Sequence, residues 1–126
     1  MDAFSTIVQV NDECVYISYP LFKQYVQQPA LFEPFVLFLE NVFLQVVQQY
    51  RGFYCCIDLK GFSVTAAHRY KDVMRIFSFE TCARNPQFPE WLQEMRLVNT
   101  PSCIQTIMQI FKPFMNAMIV SKIKYV

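Results

Sequence analysis

The chain's only two glycines, Gly52 and Gly61, bracket seven nearly continuous apolar residues, FYCCIDL at positions 53–59. A run this short is entered through Arg51-Gly52 at the end of a helical pattern and left through a glycine turn. It predicts a central strand buried on both faces. With glycine so scarce, the other loops have to be short or built from Pro, Asn and Asp.

Upstream, TIVQV (6–10) and CVYISY (14–19) are rich in β-branched and aromatic residues and predict strands. Asn11-Asp12 between them suits a hairpin or a bent edge strand. Pro20 ends the second strand, and residues 21–28 suit a short helix closed off by Pro29. From 31 to 50 the spacing is helical. Phe35, Leu39, Val42 and Val46 fall on one face, with Glu33, Glu40, Gln45 and Gln48 on the other. Leu37 and Leu44 interrupt that polar face, either as scattered surface leucines or as a contact patch.

Downstream, residues 65–79 read as a helix with Tyr70, Val73 and Phe77 inward and His68, Arg69, Asp72 and Arg75 outward. Residues 80–88 read as a loop, and PEWLQEM as a short helix begun by Pro89. Residues 96–98 suggest a short strand. Thr100-Pro101 then starts a helix with the stripe Ile104, Ile107, Met108, Phe111, Met115 and Met118, which Pro113 must kink. KIKYV reads as a last strand. The alternation predicts an α/β fold, a largely parallel sheet flanked by helices with an N-terminal β-hairpin, as one domain over residues 1–126.

The search for chemistry finds no catalytic constellation. His68 is the only histidine, on a polar helix face with Asp72 one turn on, and no nucleophile motif accompanies it. Cys55 and Cys56 sit in an apolar strand, where the thiolate is disfavoured. No glycine-rich phosphate loop occurs, and Asp58 and Asp72 lack partners at metal-ligand spacing. Neither enzyme activity, nor a metal, nor a cofactor is expected.

Composition narrows the partners. Hydrophobic residues make up 54% of the chain, thirteen of them Phe, and charged residues only 17%, against about 25% in typical soluble domains. Something has to cover that apolar excess: a lipid, a membrane surface, a second copy or a larger assembly. The net charge of +1 shows no basic stripe, so nucleic acid is not expected. Five cysteines, two of them adjacent, argue against a disulfide framework and for a reducing, intracellular compartment. Met1-Asp2 does not open a secretory leader. The most apolar stretch, 30–47, contains Glu33, Pro34, Glu40 and Asn41, so no transmembrane segment is expected.

Two segments carry a resemblance. CCIDLKGFS (55–63) is similar to the central strand, acidic residue and turn of the CRAL-TRIO lipid-binding domains. RLVNTPSCIQTIMQIFKPFMNAMIVSKIKYV (96–126) resembles their strand, Asn-x-Pro turn, long helix with Lys-Pro-Phe, and Lys-Ile strand. The order resembles most closely the divergent branch that includes neurofibromin-type and BCH-type modules. The resemblance implies a sheet with one face flooring an apolar pocket for a lipid tail, and no catalysis. Cys55 and Ile57, with Tyr16 and Ser18 beside them, are then the expected pocket residues. In the family the chain runs on past the Lys-Ile strand into a helix and strand that gate the pocket. Ending at Val126, this sequence is expected to leave the sheet face partly uncovered.

Two readings follow. The first is a non-catalytic module that packs its apolar face, with Leu37 and Leu44, against protein partners or a second copy, as a small structural subunit of an organelle complex, a membrane-peripheral assembly or a virus particle. The second is a minimal lipid-binding or lipid-transfer protein.

Overall fold

The sheet begins in a hairpin that turns on Asp12, whose φ of 54° is the left-handed conformation that Asp tolerates in tight turns. In the computed structural model, which describes residues 2–126, strand β1 (Val8–Asn11) runs antiparallel to β2 (Cys14–Ser18), with Val8 opposite Ile17 and Asn11 opposite Cys14. Met1, where the leader was sought, lies outside the described residues. Before β1, residues Asp2–Ile7 form a helix, α1, where a strand was expected from position 6. Burial overrides local preference here: Phe4 and Ile7, one turn apart, both enter the core, and the Phe4 ring meets that of Phe35 at 5.5 Å.

Ser18 ends β2 and opens α2 (Tyr19–Tyr25), its hydroxyl accepting from the Leu21 amide at 3.3 Å, with Pro20 in the first turn. A 3₁₀ turn, Pro29–Leu31, leads into α3 (Phe32–Tyr50). That helix ends where Arg51 adopts the left-handed conformation (φ 65°) and its amide reaches the Val47 carbonyl. Gly52 follows for a different reason. A Cβ there would lie 3.0 Å from the Trp91 carbonyl oxygen and 2.9 Å from the Gln93 side-chain nitrogen.

Strand β3 (Phe53–Asp58) pairs in parallel with β2, and β4 (Leu92–Val98) pairs in parallel with β3. Between them lie α4 (Val64–Ile76), a π-helical turn (Phe77–Thr81), α5 (Cys82–Arg84) and α6 (Phe88–Trp91). Ser63 caps α4 by accepting from the Ala66 amide at 3.1 Å. The loop expected at 80–88 is thus largely helical. The expected helix PEWLQEM stops at Trp91, because Leu92 pairs with Phe53 and is wholly buried.

After β4 come α7 (Ile104–Phe111), a 3₁₀ turn (Lys112–Phe114), α8 (Ala117–Ser121) and β5 (Ile123–Tyr125), parallel to β4. Pro113 ends α7 rather than kinking it, and Asn116 starts α8 anew by accepting from the Met118 amide at 2.8 Å.

The five strands lie side by side in chain order, β1-β2-β3-β4-β5. The strands run in chain order, so crossovers of the one hand that parallel strands favour carry the connecting helices to the same face. That face holds Val15, Ile17, Phe53, Cys55, Ile57 and Leu97. On the other, Tyr16 is 42% exposed, Arg96 and Lys124 are exposed, and Tyr54, Cys56 and Glu94 are half-buried. The central strand is therefore covered on one face and open on the other, not buried on both as its composition predicts. The α/β class, the largely parallel sheet and the hairpin are present as expected.

Glu40 departs from its expected place on a solvated helix face. It is buried, and its carboxylate accepts from Arg84 Nε (3.1 Å) and a second Arg84 nitrogen, from Asn85 Nδ2 (2.8 Å) and from Thr81 Oγ1 (3.4 Å). Arg84 holds this carboxyl below its ordinary range, with Asn85 and Thr81 adding to the effect and burial opposing it.

Candidate functional site

Between the covered face of the sheet and its helices lies an apolar cavity of about 210 Å³. Its floor is the inward row of three strands: Ile17 of β2, Phe53, Cys55 and Ile57 of β3, and Leu92 and Met95 of β4. The row follows from register, because Val15 faces Cys55, Ile17 faces Ile57, and Cys55 faces Met95. One wall is α3, through Phe35, Val36, Leu39 and Phe43, spaced as a helix face requires. A second is α2, through Tyr19 and Phe22. The third is α4, through Tyr70, Val73 and Met74, continued by Phe77 and Ser78 of the π turn. Phe111, Met115 and Ile119, from the connection between β4 and β5, complete the lining.

Aromatic rings pack against one another along the walls. Phe43 stacks on Phe53 at 4.5 Å, Phe77 meets Phe88 edge-on at 5.2 Å, and Phe22 meets Tyr70 edge-on at 4.8 Å. Phe53, Cys55, Leu92, Phe35, Val36, Leu39, Phe43 and Tyr70 are buried, whereas Val73, Met74, Phe77, Phe111 and Met115 at the rim, and Ile17, Ile57 and Met95 of the floor, are half-buried. The π turn shapes that rim. Its wider turn presents the adjacent residues Phe77 and Ser78 to the cavity together, and its last residue, Thr81, is bonded to Glu40.

Of the four strand residues expected at a pocket, Cys55 and Ile57 line this cavity, and Tyr16 and Ser18 do not. Tyr16 pairs with Cys56, and Ser18 with Asp58, so both belong to the opposite row. Ser18 is occupied as the cap of α2. Leu37 stands 43% exposed on the outer side of α3, and Leu44 is half-buried. On the helix-bearing face, Phe111, Met115 and Ile119 of the segment from α7 to α8 line the cavity, while Ile17, Ile57 and Met95 of the sheet are only half-buried.

Burial, reinforced by the neighbouring Cys56, pushes the Cys55 thiol up to about 12, so it stays a neutral thiol at physiological pH. His68 is exposed on α4, and the Asp72 carboxylate accepts from Arg75 Nε at 3.1 Å. The chemistry open to this arrangement is desolvation: its lining is a surface of rings, methyl groups and thioethers.

One polar group at the cavity is unmatched. The Tyr70 hydroxyl is buried and has no hydrogen-bond partner among the described residues. Tyr70 and Tyr19 also line a second depression with Lys23, Gln27, Ser63 and Arg69. Periodicity placed Tyr70 inward and Arg69 outward correctly, but nothing in the sequence distinguishes Lys23 and Arg69 from ordinary surface charges.

Residues 11–126 match the family model described as the CRAL/TRIO domain. Among solved structures, the crystal structure of Sfh5 is similar with a TM-score of 0.66, covering 99% of this chain and 50% of the Sfh5 chain at 17% sequence identity. The chain thus spans half the length of that structure, and at such identity the likeness is one of fold. No curated protein matches the chain.

Proposed function

The chain belongs to the CRAL/TRIO domain family, a lipid-binding and lipid-transfer family, and on that premise we propose that it holds the hydrocarbon tail of a lipid in the cavity between its sheet and helices. The finer kinship with the neurofibromin and BCH-type branch is supported by the order of the motifs at 55–63 and 96–126.

The observation that carries the proposal is the cavity itself, lined by aromatic and aliphatic side chains at about 210 Å³. A dry apolar cavity of about 150 Å³ is enough to bind benzene. Sites that enclose drug-sized ligands run to roughly 300–1,000 Å³. The volume here lies between, which suits one hydrocarbon segment and not a whole two-tailed lipid. Each methylene moved out of water contributes about 0.8 kcal/mol, or roughly a fourfold gain in affinity. Titration with straight-chain alkanols of increasing length should therefore show affinity climbing about fourfold per methylene and then levelling off once the cavity is filled. An affinity independent of chain length would overturn the proposal. Organic extraction of the purified chain, after native mass spectrometry, is expected to recover about one lipid per chain.

A second reading, a subunit whose apolar surface is covered by protein neighbours, is favoured by the bare face of the sheet and by Leu37, Phe79 and Met118, which are 43, 60 and 44% exposed. It predicts concentration-dependent association in sedimentation that Leu37→Glu weakens. A lipid-loaded monomer at every concentration would sink it. The five free thiols suit a reducing, intracellular compartment under either reading.

A further inference from the structure

Tyr19 and Tyr70 stand between two unlike spaces. Both residues line the apolar cavity, and both line the second depression, which Lys23 and Arg69 border. They are 8% and 5% exposed, and their rings meet edge-on at 6.2 Å.

The depression is electropositive. Lys23 places its ammonium 5.8 Å from the centre of the Tyr19 ring, and Arg69 its guanidinium 5.2 Å from that of Tyr70. Arg69 also donates to the Gln27 carbonyl oxygen at 3.2 Å. Neither cation forms an ion pair with a carboxylate among the described residues, and no acidic residue lines the depression. Tyr70, which borders both spaces, carries the buried hydroxyl that has no partner among the described residues. A buried hydroxyl without a partner is disfavoured until an acceptor arrives. A neutral head would leave both cations unmatched, and a cationic head would be repelled.

Resting on the reading of the cavity as a tail site, we propose that the ligand is a single-tailed amphiphile with an anionic oxygen head, a carboxylate or a phosphate. Its tail lies in the apolar cavity and its head lies against Lys23 and Arg69, with the Tyr70 hydroxyl donating to a head oxygen at the boundary. Because the two rings are in contact, occupancy requires one of them to turn aside.

The test is calorimetric titration of the full chain at physiological salt with dodecanoate, dodecyl phosphate, dodecanol and inorganic phosphate. The two anionic amphiphiles are expected to bind at one per chain and at least tenfold more tightly than dodecanol. Lys23→Gln combined with Arg69→Gln should remove that preference while leaving dodecanol unchanged. Tyr70→Phe should weaken the anionic probes severalfold more than it weakens dodecanol. A thermal unfolding midpoint for each variant checks that the fold is kept. If dodecanol binds as tightly as dodecanoate, the head assignment fails and the tail site stands. If no amphiphile binds, both fail. Saturable binding of inorganic phosphate alone, unaided by a tail, identifies a free-anion site and overturns the amphiphile.

Discussion

Glu40, in the middle of α3, is tied to Arg84, the last residue of α5, across 44 residues of sequence. The pair is reinforced by Thr81 and Asn85, and Asn85 Nδ2 also donates to the Thr81 carbonyl at 2.9 Å. One carboxylate therefore fastens α3 to the end of the π turn that carries Phe77 and Ser78 to the cavity rim. It links two walls of the cavity that are far apart in the sequence.

Glu40→Gln keeps the shape and removes the charge. The amide satisfies fewer of the donors gathered at that point, and the variant should lose about 1–2 kcal/mol of stability. Urea denaturation followed by far-ultraviolet circular dichroism measures this. A midpoint equal to that of the unaltered chain would show the network to be dispensable.

The same carboxyl makes stability depend on pH. Folding lowers the Glu40 titration below its ordinary value of 4.5, with Arg84 the leading cause. Between the folded and unfolded values the unfolded chain binds more protons, so stability rises with pH across that window. The contribution is complete above the unfolded value and is lost as pH falls through the folded one. Denaturation midpoints taken in steps below pH 4.5 should fall more steeply for the unaltered chain than for Glu40→Gln.

Val73 faces the cavity from α4 and is half-buried. Val73→Phe adds a ring where there is empty volume, so the usual cost of overpacking, about 1–3 kcal/mol, should be largely avoided. Alkanol affinity should drop at least tenfold while the thermal midpoint moves by only a few degrees. Unchanged affinity would mean that the tail lies elsewhere.

With its thiol pushed up to about 12, only about one Cys55 in ten thousand is ionised near pH 8. Iodoacetamide should leave Cys55 unmodified in the folded chain and alkylate it in denaturant, as peptide mapping would report. Half-buried Cys56, on the open face of the sheet, should react first of the two. Prompt labelling of Cys55 would place it at a surface.

Much of the architecture was legible because it is periodic. The spacing of Phe35, Leu39 and Val46 marked the buried face of α3, and that of Tyr70, Val73 and Phe77 marked the cavity side of α4. Alternation put Cys55 and Ile57 on one strand face. Which face, and whether the other was covered, depended on connections rather than composition: Tyr54 and Cys56 are apolar enough to be buried and yet look outward. Tyr16 and Ser18 were misplaced for that reason, since a slip of one residue moves a side chain to the opposite side. Glu40 was illegible because its partners lie more than 40 positions away. Lys23 and Arg69 acquire meaning only from the two tyrosines beneath them.

The side-by-side strand order has a consequence for how the domain is made. Each strand leaves the ribosome to find its partner already in place, so none has to be inserted between two others. Phe111, Met115 and Ile119, which line the hollow, lie between β4 and β5 and follow its floor and other walls in the chain. Until they emerge, the apolar floor and walls stand open on that side.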